Sequence, residues 1–266
     1  MRTPIAYYGG KQKLIKEIIP LIPRHKQYVE PFFGGGAVFF AKDKSKNEAI
    51  NDLDKSVINF YKVLQNNFKK LQKRIKETLH HEHLHTKAHK ILKKPMKDKI
   101  EYAWAFWVQT NMSFGNTMFG GFAFSNDGEA KNTRNKRKNF DERYLNRIEH
   151  AEIFCRDAIG LIKIKDSKDT FFYVDPPYVS SDCGHYKGYT KKDFRKLLIT
   201  LANIKGKFLL SSYPEDDLIR FRKKHKWNKK DRELNVAVTG KRKGQLKKLE
   251  CLTWNYKKEN TLKSLF

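Results

Sequence analysis

Short apolar segments alternate with amphipathic ones towards both ends of this chain. Segments with the length and apolar content of buried strands are QYVEPF, EAINDLD, AEIFCRD, TFFYVDPPY, KFLLSSY and ECLTWNY. Apolar positions recur at helical spacing in KLIKEIIPLI, SVINFYKVLQNNF and KKDFRKLLITLANI. Strands that alternate with helices predict an α/β fold with a mostly parallel sheet covered on both faces.

The alternation is interrupted in the middle of the chain. Residues 66–99 have a polar, helical pattern rich in Lys and His, and an aromatic, Gly-rich block and the basic run NTRNKRKNF follow them. We interpret residues 61–146 as a mainly helical insertion. Residues 1–60 and 147–266 are then the two parts of one sheet domain.

The charge of the chain indicates its partner. Of 266 residues, 39% are hydrophobic, which is enough for a packed core, while 56 Lys and Arg against 29 Asp and Glu give a net charge of +27. Such an excess attracts polyanions and releases their counterions on binding, so we expect nucleic acid as the partner. A lysine-rich surface that serves only solvation remains the alternative.

The chain also shows where the protein is expected to act. No apolar run approaches the ~20 residues of a membrane span, and the N-terminus lacks the pattern of a signal peptide. The cysteines, three in number, have no close spacing, which argues against a disulfide framework. We therefore expect a cytoplasmic protein without membrane contact.

Two glycine turns are candidate ligand sites. In FFGGGAVFF, Gly34 to Gly36 bring backbone N–H groups to a predicted helix N-terminus, but neither a dinucleotide fingerprint nor a P-loop is present. Asp52 ends the next predicted strand, where an acid accepts hydrogen bonds from ribose hydroxyls. YYGGK adds the Tyr7 ring and the Lys11 cation. Taken singly, each turn is equally compatible with a structural role.

The segment DPPY follows a strand-like run and has the features of a reactive site. Ligands of open α/β sheets bind beyond the carboxyl ends of strands, and Asp175 is the first polar residue after FFYV. Proline fixes the backbone and keeps its carbonyl, so Asp175 and Pro176 present two rigid acceptors that suit an amino group. Tyr178 adds a flat face for stacking a base. A simple turn is the alternative, but it does not explain the acid and the ring together.

The motifs YYGGK, VEPFFGGGAVFF, NDLD, DPPY and ECLTWNY occur in the order found in Dam-type DNA adenine methyltransferases, which this chain resembles over nearly its whole length. The order is similar to the alpha group of amino-methyltransferases. The resemblance implies a Rossmann-like, S-adenosylmethionine-dependent methyltransferase sheet. It implies methyl transfer from S-adenosylmethionine to adenine N6 in a flipped-out base of duplex DNA, and a target recognition domain in the insertion.

The same resemblance implies roles for individual residues. The catalytic residues would be Asp175, Pro176, Pro177 and Tyr178. The cofactor-binding residues would be Tyr7, Lys11, Glu30, Phe32, Gly34, Asp52, Asp157 and Asp175. The family usually has tryptophan where this chain has Tyr7.

The insertion supplies candidate DNA contacts. Asn pairs with adenine and Arg with guanine at base edges, while lysines neutralise phosphates. We expect DNA contacts from Asn111, Arg134, Lys136, Arg137 and Lys138. A solvated charge run is the alternative for the last four of these.

Other functions remain open from the residues alone. HEHLH satisfies the H-E-x-x-H pattern of zinc proteases, but it lies in a polar segment without an evident third ligand, and methyl transfer from a sulfonium requires no metal. DNA cytosine N4-methylation and a non-catalytic basic nucleic-acid-binding protein are the alternatives to adenine methylation. Further expectations are a monomer acting on double-stranded DNA, with a cognate restriction endonuclease as a second partner.

Overall fold

The computed structural model describes residues 1–7, 9–124, 133–179, 188–236 and 246–257. The chain divides into two compact units: the first comprises Met1–Ile19 and Phe33–Asp157, and the second Pro20–Phe32 and Ala158–Phe266. The predicted division into a sheet domain and an insertion follows other boundaries and stays a prediction. No helix of the described residues has the length and apolarity needed to cross a bilayer.

The strands and helices of the described residues are as follows. The strands are β1 (Gln27–Glu30), β2 (Asn47–Asn51), β3 (Glu152–Phe154), β4 (Thr170–Val174), β5 (Lys207–Ser212), β6 (Asn228–Val236) and β7 (Leu246–Trp254). The α-helices are α1 (Ile15–Ile18), α2 (Ala37–Ala41), α3 (Lys55–Asn66), α4 (Phe68–Lys76), α5 (Glu82–Leu92), α6 (Lys99–Met112), α7 (Arg134–Lys138), α8 (Glu142–Ile148), α9 (Ala158–Lys165), α10 (Lys191–Ala202) and α11 (Asp216–His225).

The strands form one seven-stranded sheet in the order β3-β2-β1-β4-β5-β7-β6. The pairs β2–β3, β1–β4 and β4–β5 are parallel, whereas β7 runs antiparallel to both β5 and β6. The predicted α/β fold with a mostly parallel sheet is thereby confirmed. Because the strand order reverses between β1 and β4, the carboxyl ends of these two strands mark a topological switch point within the second unit.

Burial explains why the strands form where they do. Every residue of β4 is buried, as expected for a central parallel strand with helices on both faces. The exposed residues Asn228 to Glu233 of β6 are largely charged, and lysines on an edge strand discourage pairing with other chains. The pattern of apolar residues did not indicate β6, since this strand has little apolar face to bury.

The aromatic block of the middle segment is a buried helix. Asp98 caps α6 by accepting hydrogen bonds from the N–H groups of Ile100 and Glu101, at 2.8 and 3.1 Å. Ten consecutive residues, Ala103 to Met112, are buried, so this helix is surrounded on all sides. Its contacts with α3, α4 and α5 lie within the first unit, where it forms the centre of the helical region.

An ion cluster buried in the first unit connects β2 to α8. The Glu48 carboxylate accepts hydrogen bonds from the Lys42 ammonium and from both terminal nitrogens of the Arg147 guanidinium. That guanidinium also lies 3.6 Å from the centre of the Phe39 ring. Burial by itself would raise the pKa of Glu48, but the hydrogen bonds and charges of Arg147 and Lys42 outweigh it and lower the pKa. Removing any one member would leave an uncompensated charge buried in the protein, which is strongly destabilising.

Replacing Arg147 by Met should destabilise the protein strongly, because Glu48 is then left buried with one cation fewer. We expect the free energy of unfolding to fall by about 3–5 kcal/mol in urea denaturation. Arg143→Met is the matched control on the same helix, since Arg143 pairs with Asp141 at the surface. Loss of that exposed pair should change the free energy of unfolding little, because solvent screens the two charges. Equal losses in the two variants would contradict the role of the cluster.

Candidate active site

The triple-glycine turn of the first unit needs glycine for a steric reason. Gly36 caps α2 with φ of 66° in the left-handed region, and a Cβ there would lie 2.4 Å from a carbon of the Phe33 ring. Its N–H donates to the Phe33 carbonyl at 2.7 Å, and the Phe33 N–H donates to the Asn51 carbonyl at 2.9 Å. The turn is thus fixed against the end of β2, where Asp52 follows.

Asp52 is held in this turn by backbone donors. Its Oδ2 accepts from the Gly34 N–H at 2.8 Å and its Oδ1 from the Asp54 N–H at 2.9 Å. The residue is only 4% exposed, and burial raises its pKa to about 6 although these two hydrogen bonds oppose the shift. A carboxylate has about four acceptor sites, so each oxygen can accept once more. These acceptor oxygens suit the hydroxyls of a ribose.

Tyr7 lies against the same turn. A Cβ on Gly34 would come within 2.9 Å of two Tyr7 ring carbons, and a Cβ on Gly35 within 2.9 Å of the Tyr7 Cβ. The structure therefore brings together Tyr7, Gly34 and Asp52, which the sequence pointed to separately. Lys11 is buried, and its ammonium donates to the Gly9 carbonyl at 3.1 Å.

Asp157 is exposed and follows β3 in the first unit. The preceding residue, Arg156, is fixed by Asn51, whose amide nitrogen donates to the Arg156 carbonyl at 3.0 Å while its oxygen accepts from the Arg156 N–H at 3.0 Å. Asn51 was not among the candidates from the sequence. It ties the end of β2 to the segment after β3, and so fixes the backbone beside Asp157.

The DPPY segment of the second unit begins directly at the end of β4. Asp175 and Tyr178 are half-buried, and Pro176 is buried. The Tyr178 hydroxyl lies 3.4 Å from Asp175 Oδ1 and donates to Glu250 Oε1 at 2.5 Å. The ring of Tyr178 lies 4.1 Å from that of Tyr213, centre to centre. The ring is therefore fixed at its hydroxyl and along its side.

Glu30, at the end of β1, belongs to the same part of the second unit. Burial, and then the charges of Asp175, Glu30 and Glu250, raise the pKa of the Tyr173 hydroxyl well above its usual value. All three carboxylates therefore act on one buried group of β4. Glu30 accepts from the Tyr28 hydroxyl at 2.7 Å.

Phe32, two residues beyond the end of β1, meets the ring of Tyr189 edge-on, with 6.4 Å between the ring centres. Tyr189 directly precedes Thr190, whose side chain caps α10. Both aromatic rings lie in the second unit. The contact with Tyr189 therefore holds the Phe32 ring within the second unit.

The candidate DNA contacts of the insertion lie around the end of α6. Arg134, Lys136 and Lys138 are exposed on α7. The Lys136 ammonium lies 3.5 Å from the Asn111 carbonyl, so the structure brings these two candidates together. The Asn111 side chain is buried, and its amide donates to the Trp107 carbonyl at 2.9 Å within α6.

Arg137 differs from its neighbours on α7 in its orientation. Its guanidinium donates to the Lys76 carbonyl at 3.1 Å, at the end of α4. This hydrogen bond joins the basic run to the helical region of the first unit.

The histidine-rich segment is exposed only in part: His81 and His83 are exposed, whereas other histidines make contacts inside the first unit. His85 is buried, and its Nε2 lies 2.9 Å from Ser113 Oγ, while His80 Nε2 lies 2.9 Å from the Ala123 carbonyl. His81 precedes α5 as its cap. These contacts hold both ends of the turn between Ser113 and Ala123. Among the described residues, no group of His, Cys, Asp and Glu is arranged to hold a metal ion.

The chain matches the profile of the D12 class N6 adenine-specific DNA methyltransferases over residues 7–230. It belongs to this family, and the resemblance drawn from the motifs is confirmed. The protein is therefore an adenine-specific DNA methyltransferase, and the family implies S-adenosylmethionine as its cofactor.

Several characterised proteins are similar along most of the chain. Type II methyltransferase M.MjaIII of Methanocaldococcus jannaschii is 26% identical over an alignment of 214 residues that covers 71% of this chain and 74% of that protein. The DNA N-6-adenine-methyltransferase of Escherichia phage P1 is 28% identical over 203 residues, covering 73% of this chain and 26% of the phage protein. A SAM-dependent methyltransferase of Agrobacterium tumefaciens superposes with a TM-score of 0.41 at 14% identity, over 91% of this chain and 60% of that one.

The pKa of Asp52 predicts a pH dependence of cofactor binding. Burial favours the protonated acid, so the carboxylate, which we expect to accept from the ribose of the cofactor, is lost as the pH falls through about 6. Affinity for S-adenosylmethionine should weaken below this value by up to about tenfold per pH unit, measured by calorimetry. Asp52→Asn should bind more weakly and lose the pH dependence. A wild-type affinity that is constant from pH 5 to pH 8 would remove Asp52 from the site.

Proposed function

We propose that Asp175 and the Pro176 carbonyl accept the two hydrogens of adenine N6 during methyl transfer from S-adenosylmethionine. The observation that carries this proposal is the position of Asp175, half-buried at the carboxyl end of β4 beside the switch point, with Tyr178 fixed next to it. A ligand of an α/β sheet is expected at this end of the strands.

The acceptors make a weak nucleophile reactive. The N6 lone pair of adenine is delocalised into the ring, and the amino group is therefore nearly planar. Two fixed acceptors that hold its hydrogens favour a pyramidal nitrogen whose lone pair points away from them. Because the hydrogens become more acidic as nitrogen donates its electrons, the two hydrogen bonds strengthen in the transition state.

The proposed cofactor-binding residues of each unit are as follows. S-adenosylmethionine, when bound, would supply the methyl group: its S–CH3 bond breaks as the bond to N6 forms, the sulfur leaves as a neutral thioether, and the proton lost from N6 passes to solvent. In the first unit, Asp52 accepts from the ribose hydroxyls beside Gly34, and Tyr7, Lys11 and Asp157 are assigned to the same ligand. In the second unit, the residues assigned to cofactor binding are Glu30, Phe32 and Asp175.

The target base has to leave the DNA helix to reach Asp175. Extruding a base costs a few kcal/mol, and stacking on an aromatic ring returns roughly 1–3 kcal/mol. Tyr178 is assigned this stacking role. Its ring is already fixed by Glu250 and Tyr213, so less side-chain entropy is lost when a base stacks on it.

Residues 61–146 are assigned as the target recognition domain, acting on double-stranded DNA. Lys136 and Lys138 on α7 are assigned to phosphates, and Asn111, Arg134 and Arg137 to the same interface. We further propose that the protein acts as a monomer in the cytoplasm. A cognate restriction endonuclease is proposed as the second partner.

Asp175→Ala tests the catalytic assignment, because it removes one of the two acceptors for N6. The rate of methyl transfer to duplex DNA should fall by about 10²–10³, with thermal unfolding unchanged. The measurement is incorporation of labelled methyl groups, followed by mass spectrometry of the nucleosides. Asp169→Ala is the control, since Asp169 lies at the opposite end of β4 in an exposed pair with Lys26. Near-wild-type methylation by Asp175→Ala would refute the assignment.

Lys136→Ala and Lys138→Ala test the DNA interface. Each should weaken DNA binding on all sequences and reduce the slope of log affinity against log salt by about one unit, because one phosphate contact is lost. Lys168→Ala is the control, with an exposed lysine near the amino end of β4. If both α7 variants keep the slope of the wild type, the basic run contributes only to solvation.

A further inference from the structure

Glu250 is a buried carboxylate for which the motifs alone suggested no role. It lies in β7, opposite Arg232 of β6, and is only 3% exposed. Its Oε1 accepts hydrogen bonds from two hydroxyls, those of Tyr178 and Ser211. Burying a carboxylate is costly unless donors satisfy it, so this geometry ties the position of Glu250 to the DPPY tyrosine.

The Tyr178 hydroxyl has one proton and two carboxylates within reach. Glu250 Oε1 is at 2.5 Å and Asp175 Oδ1 at 3.4 Å. A hydroxyl donates once, and Glu250 is much the nearer acceptor, whereas the contact with Asp175 is at the limit of hydrogen bonding. The proton is therefore directed to Glu250 and away from Asp175.

We propose that Glu250 is a positioning residue for methyl transfer, which acts by holding the Tyr178 proton away from Asp175. This inference rests on the proposed role of Asp175 as acceptor for adenine N6. Without Glu250, the Tyr178 hydroxyl turns its proton to Asp175 and competes with the substrate amino group. Glu250 thereby preserves the strength of Asp175 as an acceptor without touching the substrate.

The proposal predicts that one substitution compensates for the loss caused by another. Glu250→Ala should lower kcat by about 10- to 100-fold, the loss expected for weakening a hydrogen bond to a charged group, with KM for S-adenosylmethionine little changed. Tyr178→Phe keeps the ring and removes the competing proton, so its loss should be much smaller. In the double variant, Tyr178→Phe should restore most of the activity lost in Glu250→Ala.

The experiment measures single-turnover methylation of duplex DNA and thermal unfolding for the wild type, both single variants and the double variant. Glu250→Gln retains an acceptor oxygen and should remain near the wild-type rate. Glu250→Leu fills a similar volume without an acceptor and replaces the Ala variant in the same cycle if that variant does not fold. Thr253→Val is the matched control, since Thr253 is buried on the same strand but bonds to Arg222.

The outcomes separate this proposal from the proposed function. A wild type that does not methylate DNA would refute the proposed function itself. If the wild type is active but the double variant is as slow as Glu250→Ala or slower, Glu250 has only a structural role and the inference is wrong. A Gln variant as slow as the Ala variant would also overturn it.

Discussion

Burying a carboxylate is the constraint on which much of this structure depends, because each such group must find hydrogen-bond donors inside the protein. Three buried acids meet it differently. Glu48 is surrounded by cations, Asp52 by backbone N–H groups, and Glu250 by hydroxyls. Cations leave Glu48 with the lowered pKa of a closed structural cluster. Burial raises the pKa of Asp52, and its neutral backbone donors offset this only in part. Such perturbed acids are common at functional sites.

Local pattern was sufficient to predict the central parts of the fold. The strand β4 is buried on both faces and is therefore a continuous apolar run. The helix α10 is buried on one face, so its apolar residues recur at helical spacing. The pattern fails where burial is unusual. Residues 228–233 of β6 are exposed and largely charged, and residues 103–112 of α6 are all buried, so neither segment shows the alternation of buried and exposed positions typical of its element.

The sequence likewise predicted only those parts of the candidate site that lie in local motifs. The spacing of Gly34 and Asp52 in the sequence indicated a shared site, and the structure joins them by one hydrogen bond across 18 residues. The contact between Tyr178 and Glu250 spans 72 residues and depends on how β7 pairs with β5, which no local pattern encodes. The signal that was available is the acid in ECLTWNY, which contributed to the family resemblance without an assigned role. HEHLH shows the reverse case: it is a recognisable motif, but its last histidine, His85, bonds to Ser113 at one end of a neighbouring turn.

Charge is distributed in opposite ways over the surface and the candidate site. The chain carries a net charge of +27, whereas Glu30, Asp175 and Glu250 all act on the single buried hydroxyl of Tyr173. Under the proposed function, exposed cations attract the DNA backbone, and the carboxylates disfavour phosphates while favouring a sulfonium ligand. As methyl transfer moves positive charge towards adenine N6, Asp175 remains beside it and stabilises the charge there. Under the same proposal, exposed cations hold the DNA backbone and the carboxylates of the second unit receive the base.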